Sequence, residues 1–211
     1  MKINTYEPFE EKLNIYTHLL GIIFSIIAGF LLIQKTIESH NKIKLIAAII
    51  YNISLLLLYM ASTLYHAAKI PSKRRLLNIL DHAAIFVLIA GTYTPFAMIT
   101  LKGFWGLVLL ILIWTIAITG MALKFFFTGK YNTLSTILYV SMGWIAIFFI
   151  KPLMQNLPVN GIYWLIAGGI FYTVGAIFYS LEKLKFNHAI FHIWVLLGSL
   201  AHFIAIYKYV M

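Results

Sequence analysis

The sequence predicts an all-α, polytopic membrane protein with seven transmembrane helices, N-terminus in the cytoplasm and C-terminus outside. Three observations carry that prediction. Of the 211 residues, 62% are hydrophobic and only 10% are charged, whereas a soluble domain carries roughly 25% charged residues. The apolar residues collect in separate runs, each close to the ~20 residues that cross a bilayer. Finally, no apolar–polar alternation competes with these runs, and an open sheet edge facing lipid would leave backbone groups unsatisfied.

Taken in order, the runs lie over about 15–34, 43–66, 79–100, 104–123, 132–150, 161–181 and 188–207. In the first, Gly21, Ser25 and Gly29 recur at four-residue spacing, a seam that permits close helix approach. The third contains Gly91 and Pro95, and the proline predicts a kink near its outer end. Trp105 and Trp164 sit near the ends of runs, as an interfacial belt requires. The connections are short, so residues 1–211 read as one transmembrane domain without a soluble appendage. Glu7, Glu10 and Glu11 precede the first run, which is unlike the basic start of a cleavable leader.

Orientation follows from the basic residues. Lys2, Lys12, Lys69, Lys73, Arg74, Arg75, Lys124, Lys130, Lys183 and Lys185 fall on one side, ten in all. Lys35, Lys42, Lys44, Lys102, Lys151 and Lys208 make six on the other. The positive-inside rule places the richer side, with the N-terminus, in the cytoplasm. The net charge of +10 is therefore a matter of topology and anionic lipid, and no nucleic-acid partner is expected. With no cysteine, disulfides and thiolate ligands are excluded, and a metal must use His, Asp, Glu or water.

The chemistry gathers at one depth. His188 and His192 are four residues apart at the start of the last run, hence on one helix face. His66 ends the second run, with Ser62 one turn before it, and Asp81 opens the third. Alternating spans bring all of these to the cytoplasmic side. Three imidazoles with an open fourth position are the pattern of catalytic zinc. Asp81 is then placed to deprotonate a water and Ser62 to hydrogen-bond it, although a carboxylate in a helix's first turn also simply suits the helix dipole. Glu11, Asn14 and His18 form a stripe at i, i+3 and i+7 on the same side, read as supporting residues or as a bracket for the loops. His202 lies ten residues beyond His192, about 15 Å along the axis, too far to share an ion, and reads as an interior polar contact. His40 is expected in a solvated outer loop, and His82 as a bystander on another face than Asp81.

Together Glu11-x-x-Asn14-x-x-Thr17-His18, Ser62-x-x-x-His66, Leu80-Asp81 and His188-x-x-x-His192 with His202 resemble the hemolysin III-related family. That family includes the progestin and adipoQ receptors and is grouped with the alkaline ceramidases. The short loops look like its bacterial branch. The resemblance implies seven helices, zinc on residues matching His66, His188 and His192, and Asp81 and Ser62 around a zinc-bound water. It implies hydrolysis of a lipid amide. His82 departs from the pattern, since the animal receptors carry an aromatic residue there.

Three functions remain open on the sequence. One is a zinc-dependent hydrolase of a lipid amide or ester, with membrane lipid as its partner. The second is a cytolysin or pore, against which the all-round apolar helices argue. The third is a lipid sensor in the cell membrane with structural zinc.

Overall fold

The computed structural model describes residues 6–211, so Lys2 of the charge count lies outside the described residues. Seven helical spans are long and apolar enough to cross a membrane: Pro8–Glu38, Lys42–Ala67, Pro71–Leu101, Gly103–Phe127, Asn132–Asn156, Val159–Ser180 and Asn187–Val210. There is no strand among the described residues. The chain is a multi-pass integral membrane protein. Its outward faces fit that medium, since Phe126 and Phe148 are 79% and 85% exposed on surfaces that water would not tolerate.

Each span packs on its chain neighbour from the first to the fourth, the sixth packs on the seventh, and the seventh returns to the first. The fifth packs on the third and the sixth. The third and seventh spans occupy the middle of the bundle: 72% and 56% of their most apolar windows are buried, against 44% or less for every other span. The most interior helices are thus the ones that carry Asp81, His188 and His192. The seam of the first span forms as expected. Gly21 faces the ring of Tyr59 and Gly29 faces Asn52, both on the second span, with no room for a Cβ at either glycine.

Two spans are not regular helices. The third is α-helical over Pro71–Pro95 and passes into a π-helical turn, Phe96–Leu101. Pro95 lacks the N–H that would continue the α ladder, which explains the change of register there. The fifth, predicted as one helix over 132–150, is broken. It runs as α-helix over Asn132–Gly143, as a 3-10 turn over Ile145–Phe149 and as α-helix again over Ile150–Asn156. A break in lipid must have its freed backbone groups satisfied. Tyr93 of the third span does this twice, donating from its hydroxyl to the Gly143 carbonyl (2.6 Å) and accepting from the Ala146 N–H (2.9 Å). Trp144 Nε1 donates to Thr173 Oγ1 of the sixth span at 2.9 Å and anchors the same break.

Two earlier expectations need correction. The third span begins at Pro71, so Asp81 lies ten residues inside it, beyond the reach of the helix terminus. The first-turn reading of Asp81 therefore falls. Lys124, just beyond the run predicted over 104–123, also lies inside a span. It is 5% exposed within the fourth span and donates from Nζ to Ser135 Oγ of the fifth. His40, in contrast, is exposed in the turn after the first span, with φ 48°.

Candidate metal centre

Four spans converge at their ends on the N-terminal face of the bundle. His66 stands one residue before the end of the second span, and His188 and His192 occupy the first two turns of the seventh. All three are buried, and one ring nitrogen of each lies within 4.8 Å of the other two. His66 Nε2 and His188 Nε2 are 3.1 Å apart. Two nitrogens at 2.0–2.1 Å from a tetrahedral ion would stand about 3.3 Å apart, so the pair is spaced for shared ligation.

The other ring nitrogens fix which atoms face inward. His66 Nδ1 donates to Glu11 Oε2 at 2.7 Å, which leaves its Nε2 a lone pair. Arg74 of the third span holds the second oxygen of Glu11 and lies over the ring of Tyr65 at 4.7 Å. His192 Nδ1 is 3.1 Å from Thr17 Oγ1. That hydroxyl already donates to the Leu13 carbonyl at 2.8 Å, so it accepts from the imidazole, and His192 Nε2 is free to ligate. These tautomers are assigned from the hydrogen bonds. A carboxylate or hydroxyl behind each imidazole is the usual support of a metal-binding histidine. His188 takes its support from packing, its ring stacked on Tyr6 at 4.8 Å.

Asp81 and Ser62 are brought together beside His66, both buried. The two, with His188 and His192, line one end of a cavity that continues between the third, fifth, sixth and seventh spans. Ile85, Leu88, Ile89, Val140, Ile147 and Val195 make its walls largely apolar. Lining residues on the third span run from Asp81 to Phe96, 15 positions, or about 22 Å of helix. His202 lies along the cavity away from the site, its Nε2 donating to the Leu165 carbonyl at 3.2 Å. His82 donates from Nδ1 to the Asn78 carbonyl at 2.8 Å.

The first-span stripe divides its labour. Glu11 goes to His66, while Asn14 and His18 are buried and His18 stacks face to face on His192, centroids 3.5 Å apart at 14°. Sequence reasoning gave no site role to Glu10, Arg74 or Tyr6, and Thr17 entered it only as part of the motif that carries the resemblance. Glu10 had a signal, since it precedes Asn14 and His18 at i, i+4 and i+8. Arg74 had none, being 63 residues from the carboxylate it holds.

A family model described as "Haemolysin-III related" matches residues 6–203. The chain belongs to the haemolysin-III related family. Among its relatives in that family, Hemolysin-3 of Bacillus cereus is 48% identical over 96% of this chain and 92% of its own length. The Hemolysin-3 homolog of Bacillus subtilis (strain 168) is 42% identical over 95% and 94% respectively. The human monocyte to macrophage differentiation factor is 27% identical over 97% of this chain and 87% of its own length. The haemolysin-III match thus takes in the ends of the first, second, third and seventh spans at which the histidines meet.

Proposed function

We propose that this protein is a zinc-dependent hydrolase of a lipid amide or ester, working at the buried end of its membrane cavity. The observation that supports it most is the meeting of three imidazoles with a carboxylate and a long apolar cavity. His66, His188 and His192 would hold the ion. The donor set suits it: three neutral imidazoles and no thiolate favour zinc among the common ions and leave a fourth position open. Zinc bound there supplies a Lewis acid for a carbonyl oxygen and lowers the pKa of water to about 7.

The chain's own residues account for the rest. The cavity takes the acyl chain along its apolar walls, which leaves only the carbonyl end at Asp81 and Ser62. Asp81 accepts the proton of the attacking water and returns it to the leaving amine or alcohol. Ser62, one turn before His66, orients the water or the substrate oxygen. Glu11, itself held by Arg74, keeps the proton on His66 Nδ1 and so keeps Nε2 directed inward.

Metal analysis of purified protein followed by a screen of lipid amides and esters by mass spectrometry tests the reading. His66→Ala, His188→Ala and His192→Ala should each abolish zinc retention. Asp81→Asn should retain zinc and lose turnover. Wild-type protein without stoichiometric zinc would end the proposal. The name of the Bacillus cereus relative motivates lysis as a second reading. Its mark would be dye leakage from reconstituted liposomes that persists after zinc is removed.

A further inference from the structure

The first span carries a line of buried polar groups that the protein does not satisfy. Glu10 Oε1, both side-chain atoms of Asn14 and both ring nitrogens of His18 have no hydrogen-bond partner among the described residues. The three side chains are 9%, 0% and 3% exposed. Buried polar atoms in native proteins are nearly always paired with protein or with ordered water, so five orphans in a row call for a common cause. We propose that Glu10, Asn14 and His18 line a file of water running from the N-terminal face of the bundle to the three-histidine site.

The spacing supports water as the occupant. Positions 10, 14 and 18 recur every four residues, about 6 Å along the helix axis. One water bridging two polar atoms spans about 5.6 Å, twice an ordinary hydrogen bond. A single water bridging successive side chains would thus have two or more partners, which is what a stable internal water needs. The file also has an end. At the next positions on this face, Gly21 is filled by the ring of Tyr59, and Ser25 Oγ already donates to the Gly21 carbonyl at 2.8 Å. Tyr59 meets His18 edge to face at 5.2 Å and closes the path there. Water entering at Glu10 can go no further than His18, which stacks on His192 and lines the cavity.

Two solvents thus reach one site from different directions. Lipid has the apolar cavity between the third, fifth, sixth and seventh spans, and water has the polar stripe of the first. Hydrolysis consumes a water at every turnover, and a cavity filled by an acyl chain cannot deliver it. That supply role rests on the hydrolase reading above, whereas hydration of the stripe does not.

The chain has no cysteine, so single substitutions give one thiol each. Glu10→Cys, Asn14→Cys and the control Ser25→Cys, reconstituted in vesicles, are treated with silver ion, a thiol reagent close to water in size that lipid excludes, and the remaining thiol is titrated after denaturation. Thiols at 10 and 14 should react about tenfold or more faster than at 25, because apolar burial suppresses the reactive thiolate. Reaction should come only from the face bearing the N-terminus. Equal rates at 14 and 25 would overturn the file. Hydroxyl-radical footprinting by X-ray radiolysis repeats the test on unaltered protein. His18 should be oxidised despite its burial while Tyr51, at 0% exposure, is protected; equal protection of both would also overturn it. Labelling as expected in a protein without hydrolytic turnover would keep the file and remove its supply role, so the two readings fail separately.

Discussion

Glu11 is the side chain on which the orientation of His66 turns. Its two oxygens are committed, one to His66 Nδ1 at 2.7 Å and the other to Arg74. Glu11→Gln keeps the size and loses the charge that prefers a donor on Nδ1. Zinc affinity should fall about 10–100-fold, the usual effect of removing a residue behind a metal-binding histidine. Competition with a graded series of chelators measures this, and unchanged affinity would remove Glu11 from the role. The residue types and spacings of this corner were readable in the sequence: Ser62, His66, Asp81, His188 and His192 all meet where alternating spans put them. Spacing singled out Glu11, at i, i+3 and i+7 with Asn14 and His18, and passed over Glu10, which fits the same face at i, i+4 and i+8. Both start the same helix, and only the position of the second span decides which one reaches His66. Arg74 was hidden for a related reason. A basic residue between spans counts first as a topology signal, and nothing local marks it as the partner of a carboxylate on another helix.

The fifth span shows where pattern reading stops. Its apolar run continues through Gly143 and Trp144 with no proline, and a hydrophobic pattern by itself says nothing about a change from α to 3-10 geometry. Pro95 was legible because the missing N–H is written in the residue type. The break at Gly143 depends instead on a tyrosine 50 residues away that replaces the lost backbone bonds. Tyr93→Phe removes the donor to Gly143 and the acceptor for Ala146 together. Leaving such groups unpaired should cost about 1–3 kcal/mol, read as a lower midpoint in detergent-driven unfolding. Tyr93 and Trp144 both line the cavity, so Trp144→Phe, which loses the bond to Thr173 but leaves both Tyr93 bonds in place, compares a second cavity-lining change at the same break. A Tyr93→Phe protein as stable as wild type would mean that the break needs no cap.

For the bundle as a whole, the ion would act as a clasp. His66 sits on the second span and the other two histidines on the seventh, spans joined elsewhere by the hydrogen bond from the Tyr59 hydroxyl to Ser199 Oγ at 2.7 Å. A ligand that binds only the folded protein raises its stability by about 2.7 kcal/mol at a hundredfold excess over Kd. Zinc should therefore raise the melting temperature of the wild type, chelation should lower it, and His188→Ala should respond to neither. A melting temperature indifferent to zinc at all concentrations would separate the three histidines from any metal role.

Orientation is the remaining property of the whole molecule, and the engagement of basic side chains within the fold leaves the charge difference behind it unchanged. Arg74 is bound to Glu11 and Lys124 to Ser135, so two of the nine described basic residues on the N-terminal side are occupied within the fold. On the opposite side Lys35 and Lys44 donate to the carbonyls of Tyr207 and Met211, which occupies two of six. The excess of basic residues is the same with or without the engaged ones. Both the whole sequence, which governs insertion, and the free charges, which meet lipid head groups, thus favour a cytoplasmic N-terminus. An epitope at the N-terminus of the expressed protein should resist protease added to intact cells, and one after Met211 should be removed. The reverse pattern would move the three-histidine site and the mouth at Glu10 to the outer face, where water would enter from outside the cell.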